Sequence, residues 1–174
     1  MDSTIVFIAS ALYFFLPAYV ANMAPIFVQK IPFLNRPIYE KLLGLHKTWR
    51  GLLFAILFGG VIFLIQKVFY TIGFIQFSII DYSDFPFWFG FLIGFGAMVG
   101  DLVKSYYKRK EGIAPGRPWI PYDQIDFAVG GLIGSCLYYV PSVGVVIVIL
   151  LASPILHLIV SYMGYKLGLR KEKC

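Results

Sequence analysis

The residues able to do chemistry are concentrated between Gly100 and Phe127, in GDLVKSYYKRKEGIAPGRPWIPYDQIDF. If a helix runs on past Gly100, Asp101, Lys104, Ser105 and Lys108 stand at i, i+3, i+4 and i+7. One face then carries a carboxylate, a hydroxyl and two ammonium groups, with Arg109 beside them. Asp123 and Asp126, three apart near the start of the next apolar run, share a face in the same way. Such carboxylates suit Mg²⁺, which takes one or two of them and leaves its remaining positions to water and substrate phosphates. A second polar stretch, LGLHKTWRG, puts Lys47, Thr48 and Arg50 at a helix entrance, where Arg can grip phosphate through two parallel hydrogen bonds and Lys acts as a point charge. Each feature also has a plainer use. The aspartates could complement a helix N-terminus after Pro121, and Lys108, Arg109, Lys110 and Trp49 could be interfacial anchors. Their co-occurrence favours a site, because a charge at membrane depth is costly and functional by default, and Asp101 lies inside an apolar run that ends at Val103.

The chain that must position these groups has 174 residues, 59% of them hydrophobic and 14% charged, with a mean hydropathy of +0.79. That is too apolar for a soluble domain and specifies a single all-α, membrane-embedded domain over residues 1–174. The expected architecture has five transmembrane helices. The first runs from Thr4 to Met23, kinked at Pro17. Asn22 to Arg50 is a polar loop with one short helix, and Gly51 to Gln66 is the second span. Val68 to Ile80, too short to span, either extends that helix or lies at the interface. The third helix runs from Phe85 to about Lys108. A fourth confined to Phe127–Val140 would be only about 21 Å long at the helical rise, against a hydrocarbon core of about 30 Å. It must begin near Tyr122, which places Asp123 and Asp126 inside it. After a hairpin at Pro141–Gly144 the fifth helix runs from Val145 to Tyr165.

All but Lys67 of the 15 Lys and Arg residues fall before Gly51, between Lys104 and Arg117, or from Lys166 onward. Cytoplasmic loops carry such an excess, so the N-terminus is expected outside, the C-terminus inside, and the charged groups at the cytoplasmic face of the bilayer. The net charge of +6 is a topological signal and an attraction for polyphosphate; a nucleic-acid partner would need a basic soluble face that this chain lacks. Gly90, Gly94, Gly130 and Gly134 have the spacing of close membrane-helix packing. The same stripe offers a lipid groove leading up to Asp101 and Asp126. His157, alone on the fifth helix, reads as a core residue. Cys136 and Cys174 form no spaced pair, so neither a disulfide framework nor a zinc site is indicated.

Gly100-Asp101-Leu102, then Ser105, Lys108-Arg109, the Ala114-Pro115-Gly116 turn, Asp123 and Asp126 resemble the signature of the CTP-dependent phosphatidate cytidylyltransferase superfamily. The diacylglycerol enzymes usually carry His-Gly-Gly before the paired aspartates, where this chain has Pro118, Trp119, Ile120 and Pro121. That departure, with Lys47-Thr48-Trp49-Arg50-Gly51 and with Asn22 and Pro25, is similar to the archaeal branch, the CDP-archaeol synthases. The resemblance implies transfer from CTP to an isoprenoid ether lipid phosphate, 2,3-bis-O-geranylgeranylglycerol 1-phosphate, with release of pyrophosphate. It implies Mg²⁺ on Asp101, Asp123 and Asp126, catalytic roles for Asp101, Lys108 and Arg109, and contacts to CTP or phosphate from Asn22, Lys47, Thr48, Arg50, Lys104 and Ser105. A bacterial-type CDP-diacylglycerol synthase is the neighbouring alternative. A small channel or transporter is the alternative of another class, but its polar residues would line a path through both leaflets. The Asp-Gly-x-x-Ala-Arg motif of CDP-alcohol phosphotransferases is absent.

Overall fold

The computed structural model describes residues 2–114 and 117–166. Pro115, Gly116 and Cys174, and the part of the basic C-terminal stretch beyond Lys166, lie outside them. Among the described residues the chain is seven helices and no strand: α1 (Ser3–Phe14), α2 (Leu16–Phe27), α3 (Glu40–Leu43), α4 (Trp49–Thr71), α5 (Phe89–Lys110), α6 (Tyr122–Cys136) and α7 (Val143–Lys166).

The first expected span is two helices, bent by 50° where α1 meets α2. Pro17 sits in the first turn of α2, where its missing N–H is least costly, but it cannot donate to the carbonyl of Tyr13. The buried Gln66 side chain on α4 takes that carbonyl with a 2.5 Å hydrogen bond. In an apolar surrounding every backbone group needs such a partner. The break is therefore held open from a neighbouring helix.

Thr48 starts α4 by accepting the N–H of Gly51 at 3.1 Å. The helix runs on past Gln66 to Thr71, so only the beginning of Val68–Ile80 extends it and the rest is turn and loop. Lys67 ties this loop down. Its ammonium donates to the carbonyls of Tyr82, Phe85 at 2.6 Å and Ser83 at 3.2 Å, while the fully buried Tyr82 ring packs against Tyr13, Phe63 and Tyr70. The one Lys outside the three basic stretches thus holds a loop at the opposite end of α4 from Lys47. Residues 85–88 form a turn, so α5 begins at Phe89. Helix α6 begins at Tyr122, as its length required, but ends at Cys136; its 15 residues reach only about 22 Å. Among the described residues two helices, Trp49–Thr71 and Val143–Lys166, are long and apolar enough to cross a membrane singly, and the bent pair α1–α2 is so only if it is taken as one broken span and not as a re-entrant loop. Charges in the last turns of α5 and the shortness of α6 keep those two from meeting the same measure.

The glycines predicted as a lipid groove are filled by helix packing, which corrects that reading. A Cβ on Gly90 would lie 2.2 Å from Phe63 Cβ and one on Gly94 3.1 Å from the Ala55 carbonyl, both on α4. A Cβ on Gly130 would lie 2.2 Å from the Gly96 carbonyl and one on Gly134 2.8 Å from that of Leu92, both on α5. No lipid chain can lie where two backbones already touch.

These contacts differ in what can give way. Gly130→Ala sets a methyl against backbone, whereas Gly60→Ala meets only the far end of the Phe91 ring at 2.3 Å. Gly130→Ala should cost on the order of 1–3 kcal/mol, the range for overpacking a tight contact, and Gly60→Ala clearly less, read as unfolding midpoints in detergent. Equal losses would show that α5 and α6 can separate without penalty.

Candidate active site

Helix α5 carries Asp101, Ser105 and Lys108 as buried residues on one face, continuing from the buried Gly94 and Ala97. Its neighbour α6 crosses so closely that a Cβ on Gly100 would stand 2.2 Å from the carbonyl of Asp126. This contact sets Asp101 beside Asp126 and, one turn earlier in α6, Asp123.

The sequence-predicted groups meet there. Lys104 Nζ lies 2.8 Å from Asp123 Oδ1, 3.0 Å from Asp126 Oδ2 and 3.3 Å from Asp101 Oδ1. Lys108 Nζ holds the other oxygen of Asp123 at 2.7 Å. Lys47, from the loop before α4, donates to Asp101 Oδ2. Asp123 is further fixed by the Trp119 N–H at 2.5 Å, and Asp126 Oδ1 accepts from the Phe127 N–H at 2.6 Å. Asp126 Oδ2 is buried and, although Lys104 is close, has no aligned hydrogen bond. Three carboxylates and three ammonium groups thus form one neutral cluster, the arrangement that makes buried charge tolerable.

Beside the carboxylates is a cavity of about 160 Å³ lined by Lys47, Lys104, Ser105, Lys108, Arg109 and His46, with Leu43 and Gly44 completing its wall. Its cationic side chains surround a space suited to phosphate. Ser105, which lines this cavity, donates its hydroxyl to the Asp101 carbonyl at 2.7 Å and keeps its acceptor capacity. Arg109 donates to the Ile113 carbonyl, closing the end of α5 where Gly112 turns with φ of 70°. His46 was not assigned a role from sequence. Its only signal was adjacency to Lys47 in the second polar stretch.

Three predicted phosphate contacts fall elsewhere. Arg50 is buried in the first turn of α4 and donates to the carbonyl of Ile31, tying down the loop ahead of α3. Thr48 Oγ1 is engaged as the α4 cap. Asn22 lines a separate apolar cavity of about 490 Å³ between α1, α2 and α7, together with Leu12, Leu16, Phe127, Leu156 and Val160.

Among the described residues no three His, Cys, Asp or Glu side chains are arranged as a metal cage; Asp101, Asp123 and Asp126 converge instead on Lys104. The donor set still fits a cation held by one or two carboxylates and completed by phosphate oxygens from the adjoining cavity, which is the habit of Mg²⁺.

Apolar helices that gather carboxylates and ammonium groups at one end are the frame of a membrane protein with a polar site, and the comparisons say of which kind. A solved structure of an intramembrane enzyme for archaeal membrane lipids biosynthesis superposes with a TM-score of 0.65 and 28% identity, covering 86% of this chain and 91% of that one. A family model described as CarS-like CDP-archaeol synthase matches residues 4–173. The CDP-archaeol synthase of Thermococcus kodakarensis is 32% identical over 166 residues, 91% of either chain. That of Methanocaldococcus jannaschii is 33% identical over 174 residues, 92% of this chain and 94% of that one. The chain belongs to the CDP-archaeol synthase family.

The different placements of Arg50 and Lys108 separate their roles. Arg50→Met should lower the unfolding midpoint by several degrees, the scale of about 1.5–3 kcal/mol lost with a charged hydrogen bond, with a smaller rise in KM for CTP than Lys108→Met produces. The reverse order, in thermal scans and CTP titrations of both variants, would return Arg50 to the phosphate site.

Proposed function

We propose that the neutral cluster on α5 and α6 is where CTP meets a lipid phosphate at the cytoplasmic face of the membrane. The single observation carrying this reading is the convergence of Asp101, Asp123 and Asp126 with Lys47, Lys104 and Lys108 beside a basic cavity. As a CDP-archaeol synthase the chain forms CDP-archaeol in ether phospholipid biosynthesis. The bent pair α1–α2 is one span, and α4, α5, α6 and α7 complete five, with the N-terminus outside and the C-terminus cytoplasmic. Supporting this topology, Lys47, Lys104, Lys108 and Arg109 share one end of the bundle, while Lys67 works at the other.

In the reaction a phosphate oxygen of 2,3-bis-O-geranylgeranylglycerol 1-phosphate attacks the α-phosphorus of CTP, and the bond to the bridging oxygen breaks. Pyrophosphate leaves with the bonding electron pair. A phosphate monoester with a second pKa of about 6 is largely dianionic near neutral pH, so no general base is required and neither His46 nor His157 is given one. Bound Mg²⁺ would neutralise the triphosphate from Asp101, Asp123 and Asp126. Lys108, Arg109 and Lys47 orient the phosphates and offset charge developing on the leaving group, so catalysis rests on positioning and preorganised charge. The isoprenoid chains lie in the apolar cavity between α1, α2 and α7, whose wall includes Phe127, the residue after Asp126. They reach the phosphate site without leaving an apolar environment.

Purified protein in detergent, given labelled CTP, Mg²⁺ and either ether or ester phosphatidic acid, should form a CDP-lipid and release pyrophosphate; no product with any acid lipid would favour a transporter. Asp101→Asn, Asp123→Asn and Asp126→Asn should each cut kcat by at least about a hundredfold, a few kcal/mol of lost electrostatic stabilisation. Wild-type rates in two of the three would reduce the paired aspartates to helix caps. Leu156→Trp, which fills the apolar cavity, should lower kcat/KM for long-chain lipid about tenfold while sparing short-chain lipid and the Kd for CTP. Equal losses at both chain lengths would place the chains elsewhere.

A further inference from the structure

Lys104 takes part in both halves of the site. Its ammonium touches all three aspartates and its side chain also lines the basic cavity. Lys47 and Lys108 also line the cavity, but among the described ion pairs Lys47 reaches only Asp101 and Lys108 only Asp123. The side chain is 14% exposed and that of Asp126 6%, so the contacts are shielded from water. Asp126 Oδ2 nevertheless lacks an aligned hydrogen bond. An ammonium has three N–H bonds, yet none of those of Lys104 is aligned on Asp126 Oδ2 at 3.0 Å, so this buried oxygen keeps acceptor capacity that a divalent cation can use.

A second cation cannot share the point where Lys104 stands. Two positive charges a few ångströms apart in a shielded site repel by several kcal/mol at an effective dielectric near 20, on the order of the gain from binding itself. Yet without any cation there, three carboxylates would repel one another in apolar surroundings. Lys is suited to resolve this, because its ammonium rides on a flexible four-carbon stem. The cavity wall gives it a second place to go, toward phosphate.

We propose that Lys104 is a resident counter-ion for the aspartate triad that a divalent cation must displace, its ammonium then turning into the basic cavity to meet the triphosphate. Lys104 is thereby a positioning residue whose removal strengthens metal binding, the opposite of what a phosphate ligand alone would do. The proposal rests on the reading of the triad as a metal site.

The probe is Mn²⁺ alone, without nucleotide, titrated into purified protein and followed by paramagnetic resonance, with the unfolding midpoint read in parallel. Lys104→Met keeps the stem and removes the charge. It should bind Mn²⁺ at least about tenfold more tightly than wild type, since one opposing charge is gone. Its midpoint without metal should fall below wild type and recover when Mn²⁺ is added. Equal or weaker Mn²⁺ binding in the variant, with measurable binding in wild type, overturns the exchange and leaves the metal site standing. Absence of binding in both, together with turnover that persists in a chelator, overturns the metal reading itself. Should Lys104→Met fail to fold, Lys104→Arg serves. Its forked guanidinium grips two carboxylates and should raise the Mn²⁺ Kd about tenfold or more, and an unchanged Kd there also overturns the exchange.

Discussion

Two helices reach backbone contact only where neither carries a side chain at the crossing, and the close approach of α5 to α6 depends on that condition. A Cβ at Gly96 would lie 2.4 Å from the Gly130 carbonyl and one at Gly100 2.2 Å from that of Asp126. Small residues at this spacing allow membrane helices to pack by dispersion when no hydrophobic force drives them together. The consequence is chemical. Asp101 follows Gly100 immediately, so the contact that packs the helices also brings carboxylates from both of them within reach of one Lys104 ammonium. Widening this crossing by a single methyl group would move the two halves of the cluster apart.

Helix α4 packs on another flank of α5 in the same manner, Gly59 against Gly90 and Gly94. It delivers Lys47 to Asp101 from the loop just ahead of its N-terminus. That loop is stiffened by Ile38 N–H to the Lys47 carbonyl at 2.8 Å, Trp49 N–H to the Arg36 carbonyl at 3.1 Å and the buried Arg50 clamp on Ile31. A cation that would wander on an exposed loop is thereby aimed at a fixed carboxylate. Placing the charged ends of α4, α5 and α6 at one level lets a small bundle gather its three buried aspartates and their ammonium partners at a single end.

The faces were legible because helical periodicity is local. Spacing alone placed Asp101, Ser105 and Lys108 together, and the length argument placed the start of α6 at Tyr122. Partners contributed from elsewhere in the chain were not legible. The break before Pro17 is completed by Gln66, 53 positions from the carbonyl it satisfies. The direction of Arg50 is decided by Ile31. The glycine spacing pointed to close helix packing, which the structure bears out, but not to which neighbour fills each position, and so it left room for a lipid groove that tertiary contacts exclude. The apolar cavity was missed for the same reason: its walls come from α1, α2, α6 and α7, and no single stretch carries its pattern.

The two cavities differ sharply in chemistry. One is ringed by cations and opens beside α3 and the end of α5; the other is apolar and lies against α1, α2 and α7. Among the described residues α6 contributes to both, with Asp126 in the charged cluster and Phe127 in the apolar wall one residue later. Successive helical positions differ by about 100°, so adjacent side chains face different surroundings without any change in the backbone. A helix pinned to α5 by glycines therefore serves as the partition. Charged side chains stay on the side of the basic cavity, and apolar ones on the side of the apolar cavity.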